Sequence, residues 1–213
     1  MVIIGSRYGH SENCRGAKGL RDEVDAMKPL HFEFKKIMEQ YGHTIIDCCS
    51  NANTQNGELS EGARKANAQI LDLFISWHGN KGGGQGCEAW IANNSRAKPY
   101  AERMCKNFSS LGFKNRGVKY SDKYYEMRNI NAPNIIFETL FLDSEKDISI
   151  WSPIPYEVMA RYLANAIDPN IPLEKEQDYY RVCVQRFTNK EDAEKAQQRI
   201  SNELGYYCFA EKI

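Results

Sequence analysis

No surplus of either charge marks this chain: 28 Lys and Arg stand against 28 Asp and Glu in 213 residues. Phosphate recognition leaves a basic excess, so no nucleic-acid partner is expected. Long apolar runs are missing too. With a mean hydropathy of −0.61 and no stretch near the ~18 residues of a membrane span, no membrane insertion is expected. The opening Met1-Val2-Ile3-Ile4-Gly5-Ser6-Arg7 lacks a basic region followed by a long apolar segment. No export signal is therefore expected, and the protein should stay cytoplasmic unless released. The cysteines number seven, an odd count without a C-x-x-C pair. Cys48 and Cys49 are adjacent and the others scattered, a pattern of reduced thiols at or near the core, not of a disulfide scaffold. Lys81-Gly82-Gly83-Gly84-Gln85-Gly86 lacks the Gly-Lys-Ser/Thr ending of a phosphate-binding loop and precedes a strand. A flexible loop at the rim of a site is the better reading.

What is present builds a core: 42% of residues are hydrophobic and 26% charged, a globular balance. Short apolar runs at 2–4, 44–48, 71–77, 88–91 and 134–137 predict strands. Val24, Met27, Leu30, Phe34, Ile37 and Tyr41 recur every three or four residues and predict one helix face. Pro29 inside it should kink the helix or delay its regular part. Helices are also predicted over 60–69, 95–111 and 155–167. Strand followed by helix, repeated, implies an α/β fold with a mostly parallel twisted sheet flanked by helices.

Composition changes at Asp168-Pro169-Asn170-Ile171-Pro172 and the charged run after it, which predicts a linker over 168–177. A larger domain at 1–167 precedes it. A small β-α-β unit at 178–213 follows, with a strand over 179–187, a helix over 190–204 and a strand over 206–210.

In open α/β sheets ligands bind at the carboxyl ends of strands. The first strand runs into His10, the third into His78 and the strand at 134–137 into Glu138, while Glu23 falls where the first long helix begins. In a parallel sheet these four side chains converge on one edge. Two imidazoles and a carboxylate make a usual catalytic zinc set with an open fourth position, and a second carboxylate can serve as general base. Taken singly each has a plainer role: a His after a strand is commonly a satisfied polar group, the reading given to His31 and His43, and Glu23 suits the first turn of a helix. Tyr120, Tyr124 and Tyr125 are candidates to line a sugar-binding cleft or to pack.

Gly9-His10, Arg15-Gly-Ala-Lys-Gly-Leu20 leading to Glu23, Ile75-Ser76-Trp77-His78-Gly79-Asn80 and Phe137-Glu138-Thr139-Leu140-Phe141-Leu142 resemble the zinc-dependent N-acetylmuramoyl-L-alanine amidases of the amidase-3 type. Arg64-Lys-Ala-Asn67 and Arg116-Gly-Val-Lys119 add to the likeness, which covers 1–167 in the expected order. It implies one catalytic Zn2+ held by His10, Glu23 and His78, with Glu138 as the catalytic carboxylate and bacterial peptidoglycan as substrate. The bond cut would join muramic acid to L-alanine. Three positions depart from the pattern. Ser11-Glu12 replaces the usual Gly-Gly, which makes Glu12 a rival of Glu23; Pro29 is unusual; and Leu140 stands for a common Gly. The C-terminal unit resembles half of a SPOR-type wall-binding repeat. Docking on the larger domain, a plain stabilising appendage and pairing with a second copy are the options, and pairing into a homodimer is the one expected, because it covers exposed strand edges. A phage endolysin or a mother-cell autolysin, held in the cytoplasm until release to the wall, fits these features. The alternatives are a zinc peptidase cutting within the stem peptide and a non-catalytic peptidoglycan-binding module.

Overall fold

A computed structural model describes residues 1–174 and 187–204. The chain divides into two compact units, Met1–Lys175 and Glu176–Ile213. In the first, strands β1 (Ile3–Tyr8), β2 (Thr44–Asp47), β3 (Leu73–Asn80), β4 (Cys87–Ile91), β5 (Asn115–Tyr120) and β6 (Asn134–Phe141) alternate with helices α1 (Glu23–Gln40), α2 (Gln55–Asn67), α3 (Lys98–Ser109), α4 (Tyr125–Asn129), α5 (Glu145–Trp151) and α6 (Tyr156–Ile167).

The strands form one sheet in the order β2-β1-β3-β6-β4-β5. Every pairing is parallel except β4 against β6. The expected α/β class with a mostly parallel sheet is what the chain adopts. Side chains alternate across the sheet as the two-residue period requires. Ile75 and Trp77 enter the main core with α1, α3 and α6, whereas Phe74 enters a smaller cluster with Ala63, Ala66 and Ile130 on the opposite face. Trp77 anchors the main core, its ring 4.8 Å from Phe34 and 6.3 Å from Phe137, and Phe108 lies 5.6 Å beyond Phe137. Cys48, Cys87 and Cys105 are buried free thiols, as expected for reduced cysteines.

Helix α1 starts at once, despite Pro29. Asp22 caps it by accepting from the Val24 N–H at 3.0 Å. Proline cannot donate to the carbonyl of Asp25 four residues back; the hydroxyl of Tyr156 on α6 donates to that oxygen instead, at 3.4 Å. The helix therefore runs unbroken from Glu23 to Gln40, without the delay to its regular part that Pro29 suggests.

Strand β5 escaped the sequence reading because it is a half-exposed edge strand with Gly117 at φ +75°, so it carries no apolar alternation. The two short helices were missed as well. The expected linker begins inside this unit: Ile171 is fully buried, and Asp168 Oδ2 lies 2.9 Å from His43 Nε2. The second unit contains α7 (Lys190–Leu204), with the predicted bounds. Asn189 caps it, its Oδ1 accepting from the Asp192 N–H at 2.9 Å. Ala193, Ala196, Gln197 and Ile200 form its less exposed stripe. The strands expected on either side, and the pairing built on them, fall outside the described residues apart from Phe187.

Candidate metal centre

Three elements deliver the predicted residues to one edge of the sheet. His10 follows β1, Glu23 is the first residue of α1 and His78 lies within β3. Their donor atoms lie within 4.8 Å of one another. Glu23 Oε2 is 3.5 Å from His10 Nε2, and Glu23 Oε1 is 3.0 Å from His78 Nδ1. Backbone donors fix the carboxylate: the Ala17 N–H at 2.7 Å on Oε2 and the Gly79 N–H at 3.1 Å on Oε1. Glu23 is almost fully enclosed, whereas the His10 and His78 side chains remain 15% and 16% exposed, so the cluster opens to solvent from the imidazole side.

Close approach requires glycine beside these rings. A Cβ on Gly9 would fall 2.1 Å from His78 Cε1, and one on Gly16, at φ +74°, would fall 2.2 Å from His10 Cδ2 and 2.5 Å from Glu23 Oε2. Glu12, the rival of Glu23, is elsewhere: it is exposed, with Oε1 2.7 Å from Lys28 Nζ and Oε2 paired with Arg15.

Glu58 is the residue the sequence reading missed. It is fully buried on α2, with Oε1 2.8 Å from His10 Nδ1 and Oε2 accepting from the Ser11 N–H at 2.9 Å. The carboxylate thus sits at ion-pair distance from Nδ1, without hydrogen-bond alignment, while Nε2 faces Glu23. A visible signal existed, for Thr54 caps α2 by accepting from the Gly57 N–H at 3.2 Å; starting the helix at residue 60 hid Glu58 from consideration. Beneath the site, buried Arg7 donates to Glu126 Oε1 at 3.0 Å and to the Gly9 carbonyl oxygen, and Ser76 Oγ donates to Glu126 Oε2 at 2.6 Å.

Glu138 sits in β6, in register with His78 across β3 and with Glu88 across β4. Its Oε2 is buried without a hydrogen-bond partner. Burial, with the nearby charges of Glu23 and Glu88, raises its pKa to about 7 against the opposing pull of His78. For His78, burial opposes protonation, but the Glu23 hydrogen bond and the charges of Glu23, Glu138 and Glu126 outweigh it and push the imidazole up to about 9. Glu88 is held by Arg116 Nε at 2.7 Å and Trp90 Nε1 at 3.1 Å.

The other expected residues divide. Tyr124 meets Trp90 edge-on at 5.4 Å, Tyr120 is exposed, and Tyr125 packs on the smaller core cluster. Asn67 ties α2 to the segment before β6, donating to the Asn129 carbonyl oxygen at 2.6 Å and accepting from the Asn131 N–H at 2.9 Å. Residues 81–86 are tethered, not free. The Gly82 and Gly83 N–H groups each lie 3.0 Å from Asp143 Oδ2, and the Gly86 N–H donates to Asp147 Oδ2 at 2.8 Å.

The profile of the family described as N-acetylmuramoyl-L-alanine amidase matches residues 4–168. An uncharacterized protein of Clostridium perfringens is 30% identical over 198 residues, covering 87% of this chain and 59% of that protein. The chain thus spans under two thirds of that relative's length. The endolysin of Bacillus phage SPP1 is 26% identical over 159 residues, covering 70% of this chain and 58% of the endolysin. Among solved structures, the catalytic domain of an endolysin targeting Clostridium difficile superposes with a TM-score of 0.73 at 24% identity, over 78% of this chain and 97% of that one. The catalytic domain of the amidase CwlV from Bacillus (Paenibacillus) polymyxa gives 0.70 at 21%, over 82% and 100%. At these identities the structural likeness establishes the fold.

Proposed function

The chain belongs to the N-acetylmuramoyl-L-alanine amidase family, and from that premise we propose that it hydrolyses the amide joining N-acetylmuramic acid to L-alanine in bacterial peptidoglycan, using one zinc ion held by His10, Glu23 and His78. The observation that carries this reading is the meeting of those three donors within 4.8 Å, with Glu138 in register beside His78. Two imidazoles and one carboxylate, open on one side, suit a catalytic zinc with a free coordination position. Bound there, zinc supplies Lewis acidity that polarises the scissile carbonyl and acidifies water.

The protein's own groups do the rest. Glu138 accepts the proton of the attacking water and returns it to the departing amine. Its Oε2, buried without a hydrogen-bond partner, is free to take and return a proton, as a general acid–base should. Glu58 places its negative charge beside His10 Nδ1, while the Ala17 and Gly79 N–H groups hold Glu23 between the two rings. The setting is bacterial cell lysis, in keeping with the phage endolysin among the relatives. For the C-terminal unit the proposal is a SPOR-like wall-binding element that pairs between two copies, carried by the sequence resemblance alone.

Digestion of purified peptidoglycan, with and without a zinc chelator, tests the reading by mass spectrometry. Chelator-sensitive release of stem peptides with a new L-alanine amine, glycan strands intact, is expected. New amines further along the peptide would mean a zinc peptidase, and no new termini would mean a binding module.

A further inference from the structure

Among the described residues a second mixed donor cluster lies away from this site, at the outer edge of the sheet. His31 from α1, Asp47 at the end of β2 and Cys49 two residues later bring their donor atoms within 4.8 Å of one another. His31 Nε2 lies 3.6 Å from Cys49 Sγ and 3.8 Å from Asp47 Oδ1. A tetrahedral zinc with ordinary metal–sulfur and metal–nitrogen bond lengths sets neighbouring donors ~3.4–3.6 Å apart, so the cluster is already near that spacing.

The arrangement is unlike that of a Cys-His-Asp nucleophile. There the carboxylate holds one ring nitrogen and the thiol faces the other. Here both acidic groups approach the same nitrogen, Nε2, and Nδ1 is engaged by Ser6 Oγ at 3.0 Å. Ser6 Oγ also accepts from the Trp77 indole N–H at 2.9 Å, and its second lone pair can accept Nδ1–H from His31. That tautomer leaves the Nε2 lone pair directed at Cys49 and Asp47, which is how a metal-binding histidine is held by its outer partner. The ligands are also preplaced: the Cys49 N–H donates to Asp47 Oδ1 at 2.8 Å, and Lys65 donates to the Cys49 carbonyl oxygen. His31 is fully buried. A thiolate, a carboxylate and a neutral imidazole around a divalent ion sum to zero charge, which suits the buried His31 side of the cluster, while Asp47, 45% exposed, leaves the other side open to solvent.

We propose that His31, Asp47 and Cys49 form a second transition-metal site, selective for zinc or a similarly thiophilic divalent ion, with a fourth position open to water. The carboxyl ends of the strands would then bind the same metal at two places through different donors, one set with sulfur and one without.

Cobalt(II) is the probe that separates them, since only a thiolate ligand gives a sulfur-to-cobalt charge-transfer band. The full chain, stripped with chelator, should take up two equivalents of cobalt and develop that band. Cys49→Ser should lose the band and one equivalent, Asp47→Asn should weaken that equivalent while keeping the band, and Cys14→Ser, near His10 and Glu58, should change neither. A parent protein that binds one equivalent without the band overturns the proposal, whatever the variants do. So does a band that survives Cys49→Ser or vanishes in Cys14→Ser, which would place the thiolate at the first site.

Discussion

His78 and His31 stand on opposite sides of one small link. Ser6 Oγ accepts from the indole of Trp77, the residue before His78, and contacts His31 on its other side. Yet the two imidazoles are driven in opposite directions. Burial opposes the charge on both, but His78 has Glu23 at 3.0 Å and further carboxylates beyond, and it rises to about 9. His31 is enclosed by a hydroxyl, a thiol and aromatic rings, with Asp47 no closer than 3.8 Å; burial dominates and lowers it to about 4. Enclosure alone therefore does not decide what a histidine holds. The charge of its neighbours does, and in the metal-free chain it sets a carboxylate-rich cluster apart from a thiol-bearing one.

The largest effect should come from breaking the first centre at its proposed proton carrier. Glu138→Gln should lower peptidoglycan cleavage ~10²–10⁴-fold with zinc stoichiometry unchanged, as seen by stem-peptide release alongside metal analysis; loss of zinc in this variant would make Glu138 a ligand. Next, acid should act on the second histidine. Its folded pKa of about 4 lies below the ordinary 6.5, so as pH falls the unfolded chain takes up the proton first. Stability of the metal-free protein should be full above about pH 6.5, decline by roughly 3 kcal/mol toward pH 4, and level off below. Urea unfolding across that range tests this, and a His31→Gln variant should flatten the decline.

A smaller loss is expected from Glu58→Gln, which keeps the shape but removes the charge beside His10. Zinc affinity, read by competition with a chelator, should weaken ~10–100-fold; unchanged affinity would reduce Glu58 to a packing residue. Ser6→Ala strikes the link itself, leaving the Trp77 N–H and His31 Nδ1 without their partner at a cost of ~1–3 kcal/mol. Thermal unfolding should register it, while zinc affinity at His10, Glu23 and His78 should not move. Least of all, Glu12→Gln should change stability by ~1 kcal/mol or less, because its partners Lys28 and Arg15 are solvent-accessible. Zinc binding should be unaffected, which would separate Glu12 from Glu23 in solution.

Legibility in the sequence followed the strength of periodic burial. Strands β1, β3 and β6 and helix α1 carry dense apolar patterns because both of their faces, or one wide stripe, meet the core. Three of the four residues proposed for chemistry are attached to them directly, and His10 follows β1 by two positions. Strand β5 is half-exposed, so its residues obey no alternation. The reversed direction of β4 has no local signature either; it is a property of pairing across more than forty residues, Glu88 with Glu138. Helix α5 was legible in principle: Ser144 accepts from the Asp147 N–H at 3.2 Å, a capping arrangement that Ser-x-x-Asp announces. Glu58 could not be ranked without knowing that the first turn of α2 lies under His10.

The strand order carries a consequence in time. Strand β6 is the last of the first unit to leave the ribosome, yet it is seated between β3 and β4, which precede it. Until it arrives, β3 and β4 have no common neighbour, and the sheet is two fragments with open inner edges. The same strand brings Glu138. Closure of the sheet and delivery of Glu138 to the cluster are thus one event, so a nascent chain holding His10, Glu23 and His78 still lacks the carboxylate proposed to carry the proton. On the proposed function, reactivity is gained only as translation nears the end of the domain.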